Sequence, residues 1–144
     1  MSVRGKPLEP FFLSAAHGER FCIYYPAAGV PRGAMLYLHP FAEEMNKSRR
    51  MAALQSRMFA ERGFAVLQID LFGCGDSSGE FGEARWELWK EDVALGVTWL
   101  GQRVGGDVCL WGLRLGALLA LDAAVLCNPA PQGYVLWQPV VSGE

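Results

Sequence analysis

The residues best suited to chemistry in this sequence gather around Arg114. Val108, Cys109, Leu110 and Trp111 form an apolar run suited to a buried strand. Gly112-Leu113-Arg114-Leu115-Gly116 follows, and Ala117, Leu118, Leu119 and Ala120 continue as a helix. Glycines two positions either side of one residue describe a tight strand-to-helix turn. Side chains at those positions would strike the neighbouring strand or helix, and the tip residue is held in a strained backbone conformation. A serine at such a tip is a nucleophile, but Arg114 is not, because a guanidinium stays protonated at any working pH. It offers a fixed charge and a bidentate fork for carboxylate or phosphate. Two readings stand side by side. Arg114 holds an acyl, uronate or phosphate-bearing anion, or it forms a structural ion pair with Glu43, Glu44 or Asp76.

Other reactive side chains carry less. Cys74 and Ser77 lie in a glycine-rich stretch over residues 70–79. A thiol there needs a nearby base or cation, which Arg114 could supply, but no histidine is placed to relay protons. Cys109 reads as a small core residue. Glu43 and Glu44, with Lys47, Arg49 and Arg50, form a charge cluster. Adjacent carboxylates seldom converge on one bond as a glycosidase pair must, so a solvated helix start is expected, where glutamates suit the helix dipole. His17 reads as a solvated turn residue.

Composition bounds the function. A chain of 144 residues, 51% hydrophobic and 19% charged, supports one packed unit and argues against disorder. A formal charge of −2 leaves no electrostatic footprint for nucleic acid or anionic lipid. Cys22, Cys74, Cys109 and Cys127 show no C-x-x-C pairing, and two histidines complete no zinc set with them, so reduced thiols and no metal or cofactor are expected. No apolar h-region follows the first residues, and no apolar run reaches the 18 or so residues a bilayer demands. The expected location is cytoplasmic.

The elements that must position Arg114 alternate. Short strands are expected at residues 11–13 and 20–25, joined by a hairpin turn at Gly18. The apolar run at residues 34–38 reads as a parallel strand covered on both faces, and residues 64–69 as the next strand. A helix is expected over about residues 48–62, with Ser48 as N-cap, Met51, Leu54 and Met58 on one stripe, and Gly63 at C′. A second helix over about residues 84–103 places Trp86, Trp89, Val93, Val97, Leu100 and Val104 on a core stripe. The helix after Arg114 runs to about Cys127, and a last strand opens at Tyr134 and reaches Val141. Strands alternating with helices of this length mean βαβ units.

Three loops, in chain order, resemble strand ends of the α/β-hydrolase superfamily. His39-Pro40-Phe41 stands where these proteins carry His-Gly-x, the oxyanion loop. Asp70-Leu71-Phe72-Gly73-Cys74-Gly75-Asp76-Ser77 is similar to their Asp-x-x-Gly-x-Gly-x-Ser loop, and the turn from Gly112 to Gly116 resembles their nucleophile elbow. The resemblance implies a three-layer α/β sandwich with a mostly parallel sheet, cut off after about its sixth strand, as one incomplete domain over residues 1–144. It also implies oxyanion donors at the backbone N–H groups of Leu115 and Phe41, so that Phe41, Arg114 and Leu115 are the expected substrate-binding residues.

A narrower resemblance rests on Pro40-Phe41-Ala42-Glu43-Glu44-Met45-Asn46-Lys47-Ser48-Arg49-Arg50-Met51 together with Trp111-Gly112-Leu113-Arg114-Leu115-Gly116. These segments resemble the exosortase A system-associated hydrolases, type 2 in particular. That family belongs to bacteria with exosortase/PEP-CTERM sorting and extracellular polysaccharide loci, and an arginine at the elbow tip is typical of it. In the superfamily the triad acid and histidine follow the elbow, whereas His17 and His39 precede Arg114. The expectation is a truncated chain lacking a serine nucleophile and the triad Asp and His. Two functions follow from the resemblance. One is an ester or acyl hydrolase linked to exopolysaccharide and PEP-CTERM export; the other is a non-catalytic protein holding an anionic small-molecule, acyl or glycan ligand. The strand from Tyr134 would pair on one side only, leaving an apolar edge open to self-association.

Overall fold

A computed structural model describes residues 7–41, 43–128 and 130–137. Among these residues six strands form one sheet: β1 (Glu9–Ala15), β2 (Gly18–Tyr25), β3 (Gly33–Leu38), β4 (Phe64–Ile69), β5 (Val108–Leu113) and β6 (Gly133–Trp137), in the order β1-β2-β4-β3-β5-β6. The first three strands of that order pair antiparallel, and the run β4-β3-β5-β6 is parallel. The helices that cover it among the described residues are α1 (Glu43–Glu61), α2 (Trp86–Val104) and α3 (Leu115–Ala123). The arrangement is the expected α/β architecture with a mostly parallel sheet.

Every residue of β3 is buried because both faces of the central sheet are covered. Ala34, Leu36 and Leu38 point into the larger core, with Leu67 and Ile69 of β4, Trp89, Val93, Val97 and Leu100 of α2, and Leu119, Ala120 and Ala123 of α3. Met35 and Tyr37 point the other way, into a smaller core with Val66, Trp111 and the α1 residues Ala52 and Ala60. Period-two alternation thus divides one continuous apolar run between two layers.

The first hairpin is longer than the sequence suggests. Glu9 pairs with Tyr24, and the register continues to Ala15 opposite Gly18. Gly18 sits at φ +87°, the left-handed turn conformation expected of it.

Helix α1 departs from expectation in two ways. It begins at Glu43, so Ser48 is not its N-cap. The Ser48 hydroxyl instead donates to the Glu44 carbonyl at 2.8 Å, one turn back. The expected stripe of Met51, Leu54 and Met58 holds only at Met51, which packs half-buried on the smaller core: Leu54 and Met58 are exposed, and the buried line is Met45, Ala52, Ser56 and Ala60. Small residues face the sheet because Tyr37 and Trp111 already fill the space beneath, with ring centroids 4.3 Å apart. Helix α2 keeps its expected stripe, with Trp89, Val93, Val97 and Leu100 buried, and adds one charge to it, Asp92. A single-turn 3₁₀ segment, Phe81–Glu83, precedes α2, and another, Ala124–Leu126, replaces the end foreseen for α3. The last expected strand is seen at Gly133–Trp137, and its continuation through Val141 lies outside the described residues.

Candidate functional site

The elbow is built as the glycine spacing requires. A Cβ on Gly112 would stand 2.5 Å from the Cα of Ala117. A Cβ on Gly116 would strike the carbonyl oxygen of Leu38 and lie 2.8 Å from that of His39. These glycines let α3 start directly against β5 and the end of β3. Arg114, between them, has φ 59° and ψ −121°, and among the described residues no other non-glycine residue has positive φ. Its N–H donates to the Trp137 carbonyl at 2.9 Å, and its own carbonyl accepts from Ala117 at 3.0 Å. Two flanking elements therefore hold the strained backbone in place.

The Arg114 guanidinium meets Glu44, with Nε 2.8 Å from Oε2. The geometry is an ion pair without hydrogen-bond alignment: Nε is shielded from solvent, yet among the described residues it has no aligned acceptor. Glu44, one of the carboxylates foreseen as partners, is found on Arg114, the Glu43 side chain lies outside the described residues, and Asp76 sits in a different loop, its N–H bonded to Asp70. Both Arg114 and Glu44 border an open cleft of about 650 Å³. Lys47 and Ser48 share its polar side, and Met51, Leu113, Leu136 and Trp137 form an apolar floor.

The other expected binding residues are placed unequally. Pro40 lines the cleft. The Phe41 ring turns into the core, stacked on Trp89 with centroids 4.2 Å apart. What Phe41 can offer a ligand is its main chain. Leu115 is the first residue of α3, so its N–H is among those a helix leaves without an intrahelical partner.

The neighbouring loop, residues 70–78, pairs Asp70 and Ser77 within itself and with the elements beside it. The Asp70 carboxylate accepts the Asp76 N–H at 3.1 Å and lies 3.2 Å from Nη2 of Arg49. Ser77 Oγ accepts the Phe21 N–H at 2.8 Å and donates to the Asp70 carbonyl. Both roles of the hydroxyl are used, so Ser77 is a clamp between loop and hairpin. Cys74 is buried, and burial, then the charges of Asp70 and Asp92, push its thiol up to about 12. The cation acting on it is Arg49, not Arg114. It stays a thiol at neutral pH.

Sequence reasoning missed two supports of this corner. Arg20, 1% exposed, gives its Nε–H to Asp92 at 2.8 Å, and the second Asp92 oxygen accepts the Phe72 N–H at 2.8 Å. Burial raises the Asp92 pKa in spite of these two partners. The signal was a charge on each of two buried faces: Arg20 on the inward parity of β2, and Asp92 three residues after Trp89. The second support is His39. Its Nε2 accepts the Leu71 N–H at 3.1 Å, which assigns the ring proton to Nδ1, and Nδ1 lies 2.6 Å from the Pro40 carbonyl. Burial lowers the His39 pKa, so the ring is neutral. It joins the loop after β3 to the loop after β4. A further cleft, about 310 Å³, lies between the hairpin and α2 beside His17 and Glu91 and the mutually paired Arg20 and Asp92.

A strand, a strained tip and a helix that opens against it form a nucleophile elbow, and comparison with known proteins agrees. Residues 29–144 match the Hydrolase_4 family, described as serine aminopeptidase, S33. The chain belongs to this family of α/β-hydrolases. It is similar to protein ABHD12B of Homo sapiens, 34% identical over 110 residues, which cover 76% of this chain and 29% of that protein. It is also similar to an uncharacterized 31.7 kDa protein from the traX-finO intergenic region of Escherichia coli, 31% identical over 98 residues, 60% of this chain and 33% of that one. The chain thus spans about a third of the length of these curated relatives. Among solved structures it resembles a lidless α/β serine hydrolase from Xanthomonas campestris, with a TM-score of 0.77 and 18% identity over 94% of this chain and 63% of that one. It likewise resembles a soluble variant of monoglyceride lipase from Saccharomyces cerevisiae, with a TM-score of 0.78 and 18% identity over 99% of this chain and 48% of that one. At these identities the structures speak for the fold alone. The family description names a serine chemistry, and the elbow tip of this member is Arg114.

Among the described residues no helix is long and apolar enough to cross a membrane.

Proposed function

We propose that this chain is the hydrolase-fold part of a protein of the exosortase A-associated type, and that its elbow corner holds an anionic acyl, uronate or phosphate-bearing ligand without cleaving it. The observation that carries the reading is Arg114 itself. It takes the strained tip conformation, φ 59° and ψ −121°, at the edge of a cleft of about 650 Å³. The backbone N–H of Leu115, at the positive end of α3, and that of Phe41 are the companion donors. Membership of a hydrolase family supports a ligand with an ester or acyl group. The link to exopolysaccharide and PEP-CTERM export rests on the residues around Pro40 and the elbow. Cys22, Cys74, Cys109 and Cys127 are free thiols, which supports the cytoplasm as the compartment.

A fluorophosphonate probe for activated serines tests the reading on the full chain. No labelling is expected, since the hydroxyl of Ser77 is committed on both sides. Labelling that Ser77→Ala abolishes would overturn it. We also propose that the 144-residue chain self-associates along β6, which among the described residues pairs with β5 alone. Size-exclusion chromatography is expected to show dimers or larger species; a well-behaved monomer at all concentrations would refute this.

A further inference from the structure

We propose that the cleft takes an amphipathic monocarboxylate, and that Glu44 is a built-in competitor occupying Arg114 when that ligand is absent. The inference rests on the anion-holding reading and names its ligand class.

Three observations carry it. First, the cleft already presents a carboxylate to the guanidinium. Glu44 Oε2 lies 2.8 Å from Nε of Arg114, so a carboxylate oxygen fits there, but among the described residues the shielded Nε–H has no aligned acceptor. Glu44 reaches over from the start of α1 and is tethered to that helix. A free carboxylate has no such tether and can meet the planar fork with both oxygens.

Second, the charges on the cleft select the ligand's valence. Among the described residues lining the cleft, Arg114 and Lys47 are cations and Glu44 is an anion, which leaves one net positive charge. One carboxylate neutralises it. A phosphate dianion would leave a negative charge beside Glu44 and is disfavoured.

Third, the floor is apolar and larger than any small anion. Met51, Leu113, Leu136 and Trp137 line a volume of about 650 Å³, inside the range of about 300–1,000 Å³ typical of small-molecule sites. Trp137 is braced edge-on against the fully buried Trp111, with centroids 5.3 Å apart, so this wall is preformed. An aliphatic tail removes that surface from water; acetate would leave it wet.

Titration calorimetry on the full chain with acetate, butyrate, hexanoate, octanoate, octanol and inorganic phosphate tests the proposal. Affinity is expected to rise roughly two- to fourfold per methylene along the carboxylates. Octanol and phosphate are expected to bind at least about tenfold more weakly than octanoate. Arg114→Gln is expected to weaken octanoate about tenfold or more, with Arg114→Lys between it and the parent because the charge stays and the fork is lost. Glu44→Gln is expected to tighten octanoate several-fold, and to do so only while Arg114 is present, which a double-mutant cycle reads directly.

Acetate or phosphate binding as tightly as octanoate would overturn the amphipathic assignment and leave the anion-holding reading standing. No binding by any anion, or octanol equal to octanoate, would overturn both. The same gain from Glu44→Gln with and without Arg114 would reduce Glu44 to a background charge and end its role as competitor.

Discussion

Two loops leave the same edge of the sheet, and they treat their polar groups in opposite ways. The loop after β4 is tied to itself and to the hairpin beside it. Asp70, Ser77 and Ser78 bond to Asp76, Phe21 and Glu19, while Asp92 below accepts from Phe72 and Arg20. The turn after β5 is open. Arg114 stands in a strained conformation, half-exposed, against a carboxylate that does not align with it. Glycine-rich sequence builds both. What separates a structural loop from a candidate site is whether its donors and acceptors are already used, because an unfilled buried donor carries a cost that a ligand can relieve.

The contrast can be broken at its firmest point first. Asp92→Ala leaves Arg20 buried without its counter-ion and removes the acceptor of the Phe72 N–H. A loss of about 3–5 kcal/mol is expected in denaturant unfolding; less than about 1 kcal/mol would show that the loop does not depend on the pair. Ser77→Ala deletes the clamp between loop and hairpin and is expected to cost about 1–3 kcal/mol. That change should leave octanoate binding untouched, and a parallel loss of binding would join the two loops into one site.

The pH dependence concerns the histidine that ties the loops together. Burial holds the folded His39 pKa below that of the unfolded chain, about 6.5. Asp70 opposes that shift and Arg49 adds to it, the two charged groups acting on the ring. The folded state therefore binds fewer protons than the unfolded state in this range. The stabilisation is fully present above about pH 6.5 and is lost as pH falls toward the lower folded value. Thermal melts are expected to show that decline and to show it flattened in His39→Gln; identical profiles would sink the assignment. The smallest effect has the opposite sign. Arg114→Gly relieves the positive φ and is expected to stabilise the chain by about 1 kcal/mol while abolishing anion binding. A destabilised Arg114→Gly would mean that the Glu44 contact outweighs the strain.

Much of this architecture was legible in the sequence. The alternation of apolar runs with helical periods announced the βαβ order, and the glycines around Arg114 announced the elbow. The facing of α1 was not legible. Large side chains are usually a helix's buried ones, but here Leu54 and Met58 face water while Ala52 and Ala60 face Tyr37 and Trp111. Periodicity reports that a helix has a stripe; which stripe is buried depends on the volume already filled beneath it. Arg20 and Asp92 were hidden for another reason. They stand 72 residues apart, and no local pattern pairs charges across that distance.

The sequence by itself determined the turn and the charge at its tip. Sterics permit only glycine where a Cβ would meet the backbone of Ala117 or Leu38, and a guanidinium is cationic in any fold. Only the tertiary structure decided what that charge faces. It set Glu44 against Arg114, gave the cleft its floor of Met51, Leu113, Leu136 and Trp137, and committed the hydroxyl of Ser77 to the hairpin. Those outcomes depend on which elements come to rest beside one another, and contacts between distant segments have no period in the chain to betray them.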